Sequence, residues 1–115
     1  MKKKINSYMG FAKKSGNLIS GGNTCQVMAE KGRLKLLIIA EDASENSREK
    51  MIKLAEKTKT AYRIYGRTDD LSHGTGTSGR RVFGVTDRNF ADTIMNAIDE
   101  EQSKERRCFN DNESK

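Results

Sequence analysis

Residues 34–40, LKLLIIA, form the longest nearly continuous apolar run in the chain, and this run limits the fold more than any other stretch. Seven residues are too few for a membrane span. Apolar residues with no alternation suit a central strand covered on both faces. The chain must therefore supply helices to two sides of a sheet, and its 115 residues leave room for one domain with a modest core.

The flanking sequence supplies them. Ile5, Tyr8, Met9 and Ala12 recur at helical spacing, with Gly16 as a stop. Leu18-Ile19-Ser20 reads as a short strand. Gly21-Gly22-Asn23 opens a second helix, capped by Ser20 or Asn23, that ends at Lys31 with Gly32 beyond it. Asp42 and Glu45 have capping-box spacing ahead of a helix that carries Met51, Leu54 and Ala55 and reaches about Lys59. Tyr62–Tyr65 is the next strand, Thr68–Ser72 a short helix, and Val82–Thr86 the last strand. Phe90, Ile94, Ala97 and Ile98 mark a final helix. Beyond Glu101 the apolar period fades, so residues 1–101 are expected to fold and 102–115 to form a polar, disordered tail. Strands alternating with helices predict the α/β class, as a layered single domain.

Composition narrows the function. Cys25 and Cys108 are the only cysteines and belong to no CxxC pair, so neither a disulfide framework nor a zinc site is expected. The N-terminal MKKKINSYMGFAKK is basic without the apolar core of a secretory signal, which predicts an intracellular, cytoplasmic protein. Residues 1–98 carry 18 Lys/Arg against 10 Asp/Glu, a net of +8, whereas residues 99–115 carry a net of −2. A small body at +8 attracts polyanions through its summed field.

Two glycine clusters compete as ligand sites. HGTGTSGRR, residues 73–81, contains G-x-G-x-x-G at Gly74, Gly76 and Gly79. A dinucleotide fingerprint needs a strand before the glycines and a helix after them; here the order is reversed, which argues against a nicotinamide or flavin enzyme. The stretch is then a connector or a loop whose backbone approaches a ligand closely. SGGNTCQ has the better geometry, because it follows a strand and opens a helix, presenting free amides and the positive end of the dipole. The adjacent acids Glu41 and Asp42 point to opposite faces and read as loop and cap rather than as a catalytic pair. His73, the one histidine, reads as a surface residue. No enzymatic activity and no cofactor or metal is expected.

GNLISGGNTCQVMAEKGRLKLLIIAEDAS followed by LSHGTGTSGRRVFGVTD resembles the kink-turn RNA-binding ribosomal protein superfamily, the archaeal L-seven-Ae and L-thirty-e type, and within it the short bacterial branch. The resemblance covers about residues 5 to 98. It implies a three-layer α/β/α sandwich around a small mixed sheet, and binding of structured, ribosomal or other kink-turn RNA by a cytoplasmic monomer. Carried over, it assigns RNA contacts to Gly21, Gly22, Asn23, Thr24 and Gln26 at the second helix's start. It assigns cover of an extruded nucleotide to Gly74, Thr75, Gly76, Thr77, Ser78 and Gly79, with Asp42 beside the site. Arg80, Lys31, Arg33 and Lys35 are candidate phosphate contacts. The archaeal pattern G-x-N-E-x-x-K is kept at Asn23 but has Thr24 for its Glu and Val27 for its Lys. Those departures leave a second expectation open, a protein-interaction module of the same fold with weak or lost RNA binding.

Overall fold

The computed structural model describes residues 2–75 and 80–114. In chain order the elements are α1 (Lys2–Lys14), β1 (Leu18–Ser20), α2 (Gly22–Glu30), β2 (Leu36–Ile39), α3 (Glu45–Thr58), β3 (Ala61–Ile64), α4 (Thr68–Thr75), β4 (Val82–Val85) and α5 (Arg88–Ser114). The four strands form one sheet in the order β1-β4-β2-β3. β2 runs parallel to β3 and antiparallel to β4, and β4 runs antiparallel to β1, so the sheet is mixed.

The unbroken apolar run lies where such a run must lie. Leu36, Leu37, Ile38 and Ile39 are all 0% exposed, because β2 is an interior strand with helices on both faces. Alternate residues serve alternate layers. Leu36, Ile38 and Ala40 join Phe83 and Val85 beneath Ile5, Met9, Leu71, Ile94 and Ile98 of α1, α4 and α5. Leu37 and Ile39 pack on the other side against Cys25 and Ala29 of α2 and Met51, Leu54 and Ala55 of α3. The result is the expected three-layer α/β/α sandwich.

Gly84 lets the second layer close. A Cβ there would lie 2.5 Å from Leu34 Cδ1, 3.1 Å from Cys25 Sγ and 3.2 Å from Ile19 Cγ1. The missing side chain is what allows α2 and the chain leading into β2 to settle on β4.

Several boundaries differ from the sequence expectations. The central strand is Leu36–Ile39; Leu34 is buried but precedes it in irregular chain. α4 runs on to Thr75, so Gly74 and Thr75 lie in its last turn rather than in the glycine loop. The tail differs most. α5 continues as a helix through Ser114 instead of ending near Glu101. Polar contacts tie α5 to the edge strand β3 as far as Gln102: Arg63 meets Asp99 through Nε at 2.6 Å and Nη2 at 3.0 Å, and Gln102 Nε2 donates to the Ile64 carbonyl at 2.9 Å. The Tyr65 hydroxyl donates to Glu101. A hydrophobic period cannot register contacts of this kind.

Candidate functional site

The connections carry three helix N-termini to one end of the sheet. β1, β2 and β3 all finish there, and α2, α3 and α4 begin there. β4 starts at the same end, where Gly21 N donates to Val82 O at 2.8 Å and Ala40 N donates to Arg81 O at 2.8 Å.

Two of the three helix ends are capped from within the protein. Ser44 caps α3, its Oγ accepting from Ser47 N at 3.2 Å. Asp42 caps α4: its Oδ1 accepts from Thr68 N at 3.0 Å and from Thr68 Oγ1 at 2.7 Å. These bonds hold the Asp42 carboxyl below its ordinary pKa, the Thr68 hydroxyl contributing most and the Thr68 amide next. The capping box expected between Asp42 and Glu45 does not form. Asp42 serves the next helix, and its carboxylate is already engaged at the edge of the site.

α2 is the end left open. Its N-cap is Gly21, not Ser20 or Asn23, and no side chain bonds to its first amides. Cys25 N makes the first intrahelical bond, to Gly21 O at 3.1 Å, so the amides of Gly22, Asn23 and Thr24 have no acceptor among the described residues. Gly21 sits at φ 97°, ψ 140°, a conformation that residues with a Cβ avoid. A Cβ there would also come 3.4 Å from an Arg80 terminal nitrogen, which places the guanidinium directly over the turn.

Between the starts of α2 and α3 lies an open cleft of about 260 Å³. Gly21, Gly22 and Asn23 at the start of α2, Ser47, Lys50 and Met51 of α3, and Arg80, Arg81 and Val82 at the entry to β4 line it. Backbone N–H groups, a positive dipole end and cationic side chains face one concavity. That combination suits an anionic or carbonyl-rich ligand, and the described lining holds no carboxylate or imidazole.

The sequence candidates divide when set on this geometry. Gly21, Gly22, Asn23 and Arg80 line the cleft. Thr24 is exposed in the first turn of α2, and Gln26 is half-buried with its amide donating to Glu30 at 3.4 Å. Thr75 is withdrawn from the surface: it is 6% exposed and its hydroxyl donates to Leu71 O at 2.8 Å. Gly74 ends up in α4, while Gly76, Thr77, Ser78 and Gly79 lie outside the described residues. Lys31, Arg33 and Lys35 are exposed at the opposite end of the sheet, where Lys35 N donates to Val85 O at 2.8 Å. Nine residues of helix carry the chain roughly 13 Å away from Gly21 before they occur. Ser47 and Lys50 were missed in the sequence, although their i, i+3 spacing behind the Ser44 cap puts both on one face of α3.

No helix among the described residues is long and apolar enough to cross a membrane. Also among the described residues, no group of three His, Cys, Asp or Glu side chains could hold a metal ion.

The layers, the mixed four-stranded sheet and the open helix terminus define a small α/β/α domain. Comparison with known proteins gives the family: the chain belongs to the Ribosomal protein L7Ae/L30e/S12e/Gadd45 family, whose sequence profile matches residues 3–95. It is 28% identical over 91 residues to the RNA-binding protein YlxQ of Bacillus subtilis (strain 168), covering 79% of this chain and 91% of that one. Its fold is similar to that of a Bacillus halodurans protein of unknown function, with a TM-score of 0.81 and 24% identity over 84% of this chain and 97% of the other. It is also similar in fold to the Giardia lamblia 15.5kD RNA binding protein, with a TM-score of 0.71 and 17% identity over 85% and 86%.

Proposed function

We propose that this chain is a non-enzymatic RNA-binding protein of ribosomal type that docks a sharply kinked RNA duplex against the start of α2. The observation that carries the reading is the asymmetry of the three helix ends. Ser44 and Asp42 cap α3 and α4, whereas α2 keeps its first amides free beside Arg80 and Lys50. Free amides meet base edges or phosphate oxygens, Asn23 offers both a donor and an acceptor, and the cations take the backbone charge. Family membership, together with similarity to the RNA-binding protein YlxQ and the Giardia RNA binding protein, supports RNA as the ligand class.

In this reading Gly76, Thr77, Ser78 and Gly79, as the family resemblance implies, cover an extruded nucleotide. The protein acts as a monomer in the cytoplasm, a setting that suits a free, buried Cys25.

One observation favours a protein partner instead. Val27, one turn after Asn23 on the same face of α2, is 47% exposed where the archaeal pattern has a lysine. The two readings separate in a binding titration with a kink-turn RNA and with a control whose G·A pairs are replaced, each at two salt concentrations. RNA recognition predicts tighter binding of the kink-turn at both salts, with affinity falling as salt rises. Equal binding of the two RNAs would contradict kink recognition, and no binding at low salt would favour the protein-interaction module.

A further inference from the structure

Positive charge is not confined to the cleft that Lys50, Arg80 and Arg81 line. Around the cleft, that end of the sheet also carries Glu41, Asp42, Glu45, Glu49, Asp69 and Asp70 with Arg48 and Arg67. The opposite end gathers Lys13 and Lys14 from the last turn of α1, Lys31 at the C-cap of α2, Arg33 and Lys35 ahead of β2, and Arg88 from the first turn of α5. All six are exposed, and none is in an ion pair among the described residues. The carboxylates near them in sequence are Glu30, which takes the Gln26 amide, Asp87, which accepts from Phe90 N at 3.0 Å as the α5 cap, and Asp92 one turn later.

Helix dipoles explain only part of this collar. Lys13, Lys14 and Lys31 stand at helix C-termini, where cations are favoured. Arg33 and Lys35 are in irregular chain, and Arg88 stands at a helix N-terminus, where the dipole opposes it.

An aromatic surface adjoins the collar. Phe11 is 58% exposed one turn before Lys14, and Tyr8, Phe11 and Phe90 line a shallow hollow of about 300 Å³ with Asn89 and Thr93. An exposed ring flanked by unpaired cations suits one ligand chemistry above others. Cations follow a phosphodiester backbone while an unstacked base lies on the ring.

We propose that this end of the molecule is a second RNA-contacting surface, which takes a single-stranded segment with Lys14, Arg33 and Lys35 on phosphates and Phe11 under a base. It shares no residue with the cleft at Gly21, so it stands or falls separately from kink recognition.

The test is a fluorescence-anisotropy titration with a labelled oligouridine, which cannot form a kinked duplex, at several salt concentrations. The triple variant Lys14→Ala/Arg33→Ala/Lys35→Ala is expected to bind at least tenfold more weakly, with its log–log salt slope reduced by about 2 for three lost phosphate contacts. Phe11→Ala is expected to weaken binding about fivefold or more with the slope unchanged, as loss of stacking does. Thermal melts of both variants should match the parent, because all four side chains are exposed. Oligouridine binding unchanged in both variants would overturn the proposal. So would a triple variant that loses heparin as much as oligouridine while Phe11→Ala changes neither, since that marks a collar for any polyanion. Polyglutamate bound in preference to oligouridine would also overturn it and point to an acidic protein partner. Kink-turn discrimination measured on the same variants is expected to persist, so the failure of either reading shows independently of the other.

Discussion

Asp42, three residues past the end of β2, caps a helix that begins 26 residues later by accepting from both the amide and the hydroxyl of Thr68. One carboxylate thus ties the β2–α3 connection to the start of α4, and with it the end of the sheet where the cleft lies.

Asp42→Ala is expected to lower stability, because the start of α4 loses its side-chain cap. Its pH signature follows from the direction of its shift. Because the folded-state pKa is depressed, the contribution is fully present above the unfolded value near 3.8 and is lost as pH falls through the lower folded value. Denaturant titrations from pH 7 down to 2 should therefore show the parent and Asp42→Asn converging at the acid end. A gap that stays constant to pH 2 would contradict the capping role.

Gly84→Ala provides a test of opposite sign to propensity. Alanine normally improves a strand position held by glycine, yet here its Cβ would meet Leu34, Cys25 and Ile19 at 2.5–3.2 Å. The expected cost is about 1–3 kcal/mol from overpacking, read from chemical denaturation. A stabilised variant would mean that α2 does not rest on β4 as closely as described.

Cys25 should be chemically silent in the folded protein. Burial pushes its thiol up to about 12, so almost none is thiolate near neutral pH. Iodoacetamide at pH 8, read by peptide mass spectrometry, should label Cys25 only after denaturant is added. Rapid labelling of Cys25 in the native state would show that the layer between α2 and the sheet opens.

The Arg63–Asp99 pair ties α5 to the edge strand β3. Both side chains are partly exposed, at 31% and 48%, so the pair is worth at most about 0.2–1 kcal/mol despite its two-pronged geometry. Asp99→Ala should change global stability little while increasing amide hydrogen exchange across 99–103. Exchange in this stretch equally fast in the parent would contradict the docked helix.

Much of this architecture could be read from local pattern. The unbroken run at 34–40 announced an interior strand, the stripes Ile5/Met9 and Ile94/Ile98 announced core-facing helices, and Gly32 at φ 74° closes α2 as its position implied. Gly21, Gly22 and Asn23 also lie where their order after a strand put them. What escaped depends on distance along the chain. Nothing near Asp42 signals that its partner is Thr68, and nothing near Lys50 signals that α3 will lie beside α2. Lys31, Arg33 and Lys35 looked close to the glycine turn because sequence spacing ignores the length of the intervening helix. Thr75 read as loop because a glycine precedes it, although α4 continues through that glycine and buries the hydroxyl.

Arg80 offers a graded test of the cleft. Arg80→Ala should weaken kink-turn and control RNAs by similar factors and reduce the salt slope by about one phosphate contact. Asn23→Ala should instead reduce discrimination between them, by roughly 1–3 kcal/mol if Asn23 reads a base. The reverse pattern would exchange the roles of the two residues.

The most direct measurement is a chemical-shift map of the isotopically labelled protein titrated with kink-turn RNA. Docking at the start of α2 predicts the largest amide shifts at Gly22, Asn23 and Thr24, whose N–H groups lack acceptors, with further shifts at Ser47, Lys50 and Arg80 around the same cleft. Amides in the middle of α5 should barely move. Unperturbed amides at Gly22–Thr24 under saturating kink-turn RNA would contradict the account.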